Sequence, residues 1–132
     1  MKKDSDSAGE PASGTEGGDN TEVIDIRSEG DLENFIKQKR PKLIDLFAEW
    51  CAPCKQIGPI LEELARKYKG EMAFCKVNVD ELVVARSIMK DLNILGIPAV
   101  LIYGNGYANI LIGAHSKAEY ETEIQNALEA AE

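Results

Sequence analysis

The sequence predicts an α/β fold: a central mixed five-stranded sheet flanked by four helices on its two faces, in the order βαβαβαββα. Three observations lead there. Short β-branched runs alternate with segments of helical apolar spacing, and Leu43-Ile44-Asp45-Leu46-Phe47-Ala48 is nearly continuous, as a strand covered on both faces must be. Gly104-Asn105-Gly106 then joins the last two strands as a hairpin, which makes a sheet built by right-handed parallel crossovers a mixed one.

Glu22 to Arg27 sets Val23 and Asp25 against Ile24 and Ile26, a short strand by its β-branched content. Ser28 offers an N-cap and Asp31 a first-turn acid to a helix with Leu32, Phe35 and Ile36 on one face, stopped by Pro41. Leu43 to Ala48 is the central strand. The next helix begins at Cys51-Ala52-Pro53-Cys54 and carries Ile57, Ile60, Leu61, Leu64 and Tyr68 at helical spacing; Pro59 inside it predicts a kink, and Gly70 closes it. Met72 to Val79 reads as a strand, after which Asp80 caps a helix holding Leu82, Ala85, Ile88, Met89 and Leu92. Ala99 to Tyr103 pairs with Ala108 to Ile112 across the hairpin. Ser116-Lys117-Ala118-Glu119 is a capping box opening the last helix, whose apolar face is Tyr120, Ile124, Ala127, Leu128 and Ala131.

A length of 132 residues suits one domain. Residues 1–20 have no aliphatic side chain larger than Ala after Met1 and hold Gly9, Gly14, Gly17 and Gly18, so they read as a disordered acidic Gly/Ser-rich tail before a domain over 21–132. Half of the net charge of -8 lies in the first 22 residues. An acidic chain repels a polyanion, which excludes nucleic acid as a partner, and no apolar run approaches the ~20 residues of a membrane span. Three cysteines are an odd and small set for a secreted framework and fit a reducing compartment. Met1-Lys2-Lys3 is followed by Asp4-Ser5-Asp6-Ser7 where the apolar stretch of an export signal belongs, so a cytoplasmic location is expected.

Two cysteines separated by two residues, where a buried strand hands over to a helix, can form and break a disulfide with each other. Cys51 precedes the helix, where unpaired N–H groups and the helix dipole stabilise a thiolate, so it is the candidate nucleophile. Cys54, in the first turn, is the candidate resolving thiol, and Pro53 preorganises the turn between them at no cost in hydrogen bonds. Asp45 interrupts the apolar strand; a buried carboxylate there has a raised pKa and can take the proton of Cys54. The alternative is an edge-strand Asp facing water. Lys76 interrupts the next strand in the same way and pairs with Asp45 if the two strands are neighbours. Ile97-Pro98 is the third candidate: cis peptides occur at X-Pro, though most X-Pro bonds are trans, and a cis Pro at a strand start exposes backbone groups to an extended substrate.

Asp45-Leu-Phe-Ala-Glu-Trp-Cys-Ala-Pro-Cys-Lys55, then Pro59, Lys76-Val-Asn-Val-Asp80, Gly96-Ile-Pro98, Asn105-Gly106 and Gly113 resemble the thioredoxin family in order and spacing, over about residues 21 to 131. The resemblance implies the thioredoxin fold and a general protein-disulfide reductase activity. It assigns Cys51 as nucleophile, Cys54 as resolving thiol, Asp45 as buried acid/base with Lys76 beside it, and Pro98 as a cis proline. Trp50, Ile97 and Gly113, with Ala52 and Pro53 between the thiols, line the surface that docks the substrate. The chain departs from the family at three positions. Ala52-Pro53 stands for the usual Gly-Pro and bears on redox potential, Phe47 stands where many members have a second Trp, and Ala99 follows the proline where Thr is common.

Cys75 alternates with Lys76 and points to the other face of its strand, as a buried inert thiol or, in the sharper alternative, a regulatory one. His115 reads as a surface or staple residue beside the cap Ser116. A zinc set of Cys51, Cys54, Cys75 and His115 is opposed by the direction of Cys75 and by the lack of a second CxxC, so no metal is expected. The expectation is therefore a monomeric thiol–disulfide oxidoreductase without bound cofactor. It acts on disulfide-containing proteins and is recharged by a thioredoxin reductase, either NADPH-flavin or ferredoxin-linked. Two rivals are a non-catalytic binding or assembly module on the same fold, and a disulfide oxidase or isomerase, which needs a more oxidising couple.

Overall fold

The computed structural model describes residues 22–130, so the acidic segment read as a tail lies outside the described residues. The elements are β1 (Val23–Ile26), α1 (Glu29–Lys37), β2 (Lys42–Phe47), α2 (Ala52–Lys67), β3 (Ala73–Asn78), α3 (Val83–Asp91), β4 (Ala99–Gly104), β5 (Tyr107–Ile112) and α4 (Lys117–Ala130). The order βαβαβαββα is the one the apolar periodicities predict. Within the sheet the strands run β1-β3-β2-β4-β5, with β3 parallel to β1 and β2, and β4 antiparallel to β2 and β5.

Alternation along β2 explains the two layers. Leu43 joins Phe74, Val100 and Ile102 beneath α2 and α4, which contribute Ile57, Leu61, Leu64, Tyr120, Ile124 and Ala127. Ile44 and Leu46 face the other way, onto Cys75, Val77 and Leu101 and onto Leu32 and Phe35 of α1 and Ala85 of α3. Each fully buried Leu or Ile stabilises the fold by roughly 1.5–3 kcal/mol, so β2, apolar on both faces, is the structural centre. That place favours residues without a polar face; Asp45 in the middle of the strand and Lys42 at its start depart from it.

The ends of the elements follow local chemistry. Asp31 N–H donates to Ser28 Oγ at 3.1 Å, capping α1. At α4, Ser116 N–H donates to Glu119 Oε1 at 2.8 Å and Glu119 N–H to Ser116 Oγ at 3.1 Å, the reciprocal pair of a capping box. Asn105 (φ 48°) and Gly106 (φ 93°) are both left-handed, as the two-residue hairpin turn requires. α2 runs unbroken through Pro59, which is exposed like Lys55, so water can satisfy the carbonyl that loses its N–H partner.

The start of the third helix differs from the sequence reading by more than a residue. Asp80 does not cap the helix that follows: α3 starts at Val83, and its N-cap, Leu82, has no side-chain cap. Glu29, at the start of α1, does that work across space, accepting from Val83 N–H at 2.7 Å and Val84 N–H at 3.0 Å. A carboxylate at a helix N-terminus satisfies orphan donors wherever in the chain it comes from, and propensity rules that read only neighbours miss it.

Gly104 closes β4 against Pro41: a Cβ built there lies 2.8 Å from Pro41 Cβ and 3.0 Å from its Cα. Gly104→Ala is therefore expected to destabilise the fold by about 2 kcal/mol through overpacking, read as a lower urea midpoint at unchanged slope.

Candidate active site

The chain leaves the sheet after Phe47 and reaches Cys51 through a tight turn in which Cys51 N–H donates to Ala48 C=O at 3.2 Å. Cys51 has the extended backbone of an N-cap (φ -91°, ψ 105°), and Cys54 N–H donates to its Sγ at 3.2 Å. The sulfur thus sits where a Ser or Asp oxygen caps other helices, and a thiolate there gains both the hydrogen bond and the dipole. Cys51 and Cys54 are joined as a disulfide, with Cα atoms 5.3 Å apart. Both cysteines are buried, while Ala52 and Pro53 between them are exposed and Trp50 is 71% exposed beside them.

Pro98 arrives at the same end of the sheet. Because β2 and β4 are antiparallel with Leu46 opposite Ala99, the start of β4 lies beside the end of β2 that leads to Cys51. Ala99, Cys51 and Cys54 share one cluster, against which the half-buried Ile97 packs. The Ile97–Pro98 peptide is cis, as the family resemblance implied. Gly113, left-handed at φ +84°, donates its N–H to Pro98 C=O at 2.8 Å, which sets the turn after β5 alongside the proline.

Asp45 is 5% exposed, and its Oδ1 has no hydrogen-bond partner among the described residues. β2 is a central strand, which removes the edge-strand reading. Burial pushes the Asp45 carboxyl up to about 7, with the Lys76 ammonium opposing. Lys76 is its register partner on β3, as adjacency of the strands required. Cys75 faces the other layer, wholly buried; burial and the Asp45 and Asp25 charges push its thiol far up, so it stays protonated. Among the described residues no three His, Cys, Asp or Glu side chains are grouped so as to hold a metal, and the structure does not assemble Cys51, Cys54, Cys75 and His115. Trp50 is the feature with an unforeseen partner: its Nε1–H donates to Asp80 Oδ2 at 2.9 Å. No sequence signal links residues thirty positions apart in this way, and Asp80 had a nearer role to suggest.

The thioredoxin family model matches residues 23–128, with all of these positions inside it. The chain belongs to the thioredoxin family. It is 33% identical over 98 residues to a thioredoxin of Pseudomonas aeruginosa, covering 74% of this chain and 88% of that protein. It is 37% identical over 108 residues to the chloroplastic M-type thioredoxin of Spinacia oleracea, covering 81% of this chain and 58% of that longer relative. Among solved structures, Plasmodium falciparum thioredoxin superposes with a TM-score of 0.66 at 34% identity, over 80% of this chain and all (100%) of that one. Chloroplastic thioredoxin z gives 0.69 at 26% identity, over 83% and 96%. With the Cys51–Cys54 disulfide in place, the chain is a thiol–disulfide oxidoreductase.

The raised carboxyl has a measurable consequence. The unfolded chain releases the Asp45 proton near 3.8 and the folded chain only near 7, so the folded state holds more protons between those values and loses stability as pH rises through them. The full difference is on the order of 4 kcal/mol. Asp45→Asn is expected to flatten the wild-type decline in stability between about pH 4 and 7, and to be the more stable protein at pH 8 in urea unfolding. A wild-type profile retained in the variant contradicts the assignment.

Proposed function

We propose that the protein reduces disulfides of other proteins by dithiol–disulfide exchange. The observation that carries this reading is the placement of Cys51 as the N-cap of α2, its sulfur bonded by the Cys54 amide. In the reduced protein the Cys51 thiolate attacks one sulfur of the partner disulfide, forming a mixed disulfide and expelling the partner's other sulfur as thiolate. Asp45 accepts the proton of Cys54, whose thiolate then attacks Cys51 Sγ. The Cys51–Cys54 disulfide forms and the partner leaves with its second sulfur reduced. Two electrons and two protons have passed to the partner.

Trp50, Ala52, Pro53, Ile97, Pro98 and Gly113 present the docking surface for an extended segment of the partner. Support comes from the exposure of Trp50 and from the Pro98–Gly113 backbone pair at the strand edge. Two electrons from a thioredoxin reductase return the pair to the dithiol, by NADPH and flavin or by ferredoxin. The protein works as a monomer in the cytoplasm, where such a couple is kept reduced, and forms one domain from residue 21 onward. Its acidic surface turns nucleic acid away, and among the described residues no helix is long and apolar enough to cross a membrane.

Turnover of a protein disulfide such as insulin, with a dithiol as electron source, tests the mechanism. Cys51→Ser is expected to be inactive, and Cys54→Ser to accumulate a mixed disulfide visible by intact mass. Full activity in either variant overturns the reading. A Cys51–Cys54 couple near roughly -270 mV is expected of a reductase, whereas about -180 to -120 mV indicates a disulfide-forming or isomerising protein.

A further inference from the structure

The turn between β5 and α4 is held from beneath by two side chains that the exchange chemistry does not use. Tyr120, in the first turn of α4, is wholly buried, and its hydroxyl is engaged on both sides: it accepts from His115 N–H at 3.2 Å and donates to Gly113 C=O at 3.3 Å. Burial pushes this phenol up, so it stays a donor. The His115 ring packs edge-on to Tyr120, with centroids 5.9 Å apart. Its Nε2 lies 3.0 Å from the carbonyl oxygen of Ile112, and its Nδ1 lies 3.5 Å from Glu119 Oε1.

The backbone held in this way is the docking edge. Ile112 is the register partner of Ala99, and Gly113 N–H donates to Pro98 C=O. Gly113 is thus gripped at both ends of its peptide unit, by the proline carbonyl on one side and the Tyr120 hydroxyl on the other. A carbonyl and a carboxylate can only accept. The ring nitrogen Nε2 is therefore the donor to Ile112 C=O, which fixes the ring against the turn. Glu119 and Tyr120 are the ionisable groups that the ring contacts; Asp45 acts on Tyr120 electrostatically from β2, and Lys117 of the same turn is paired with Glu63 of α2.

We propose that His115 and Tyr120 are positioning residues for the exchange reaction: they fix the Ile112–Gly113 backbone beside Pro98 and so set how well a protein disulfide docks. The inference rests on the reductase reading, and the test separates the two. Insulin probes docking, and the small aromatic disulfide dithiobis(nitrobenzoic acid), which needs no extended contact, probes the thiols alone.

For His115→Ala and Tyr120→Phe the KM for insulin is expected to rise about fivefold with kcat retained, the scale of one lost hydrogen bond, while the rate with the small disulfide holds. His115→Gln, which keeps a donor for Ile112 C=O, is expected to restore the low KM. Unchanged KM in both His115→Ala and Tyr120→Phe overturns the proposal. So does an equal fall with both disulfides, which marks a general loss of structure, or a KM in His115→Gln as high as in His115→Ala. A wild-type protein inert towards insulin and the small disulfide alike overturns the reductase reading, and the positioning role with it.

Discussion

The active end of the molecule depends on where the central strand stops. β2 is buried on both faces and flanked by β3 on one side and β4 on the other, so its exit at Phe47 is held by neighbours in every direction. Whatever follows that exit is presented at the sheet's edge. Here it is a cysteine whose sulfur caps the next helix, and the antiparallel partner strand delivers Pro98 to the same edge because its register sets Ala99 opposite Leu46. A rigid scaffold thus carries reactive groups on its loops, and an exchange reaction in which sulfurs must line up for attack requires that arrangement.

The same strand contains a carboxylate that its surroundings penalise. Asp45 sits in the middle of a near-continuous apolar run, desolvated and only partly relieved by Lys76. Buried carboxylates without full hydrogen bonding cost stability. Cys75, one register step away on β3, shows the contrast. It lies on the opposite face of the sheet, where burial suppresses the thiolate instead of exposing it, and so the chain carries three cysteines but only one redox pair.

Around the pair, connections made across space tie loops to the scaffold. The Trp50 indole is anchored by Asp80 from the β3–α3 turn, Glu29 of α1 caps α3, and Tyr120 and His115 hold the turn after β5. Each joins residues from different elements, or a loop to the helix that follows it. Together they tie the loops at this end of the molecule to the scaffold.

The alternation of apolar runs with helical periodicities was enough to establish the order of the nine elements among the described residues. The CxxC at a strand-to-helix junction established the chemistry, because periodicity, capping and the thiolate preference of a helix N-terminus are local properties of a chain. The Ser28 cap, the Ser116–Glu119 box and the Asn105-Gly106 turn are of the same kind. The apolar run of Leu43 to Ala48 already marked β2 as central, but tertiary structure alone decided which strands flank it and that Asp45 is buried and not an edge residue. It also decided that Asp80 bonds Trp50 while Glu29 caps α3, and that Gly113 meets Pro98. The physical reason is that desolvation and long-range hydrogen bonds depend on which segments pack together, and packing is a property of the whole chain, decided by where all of its apolar faces are buried at once.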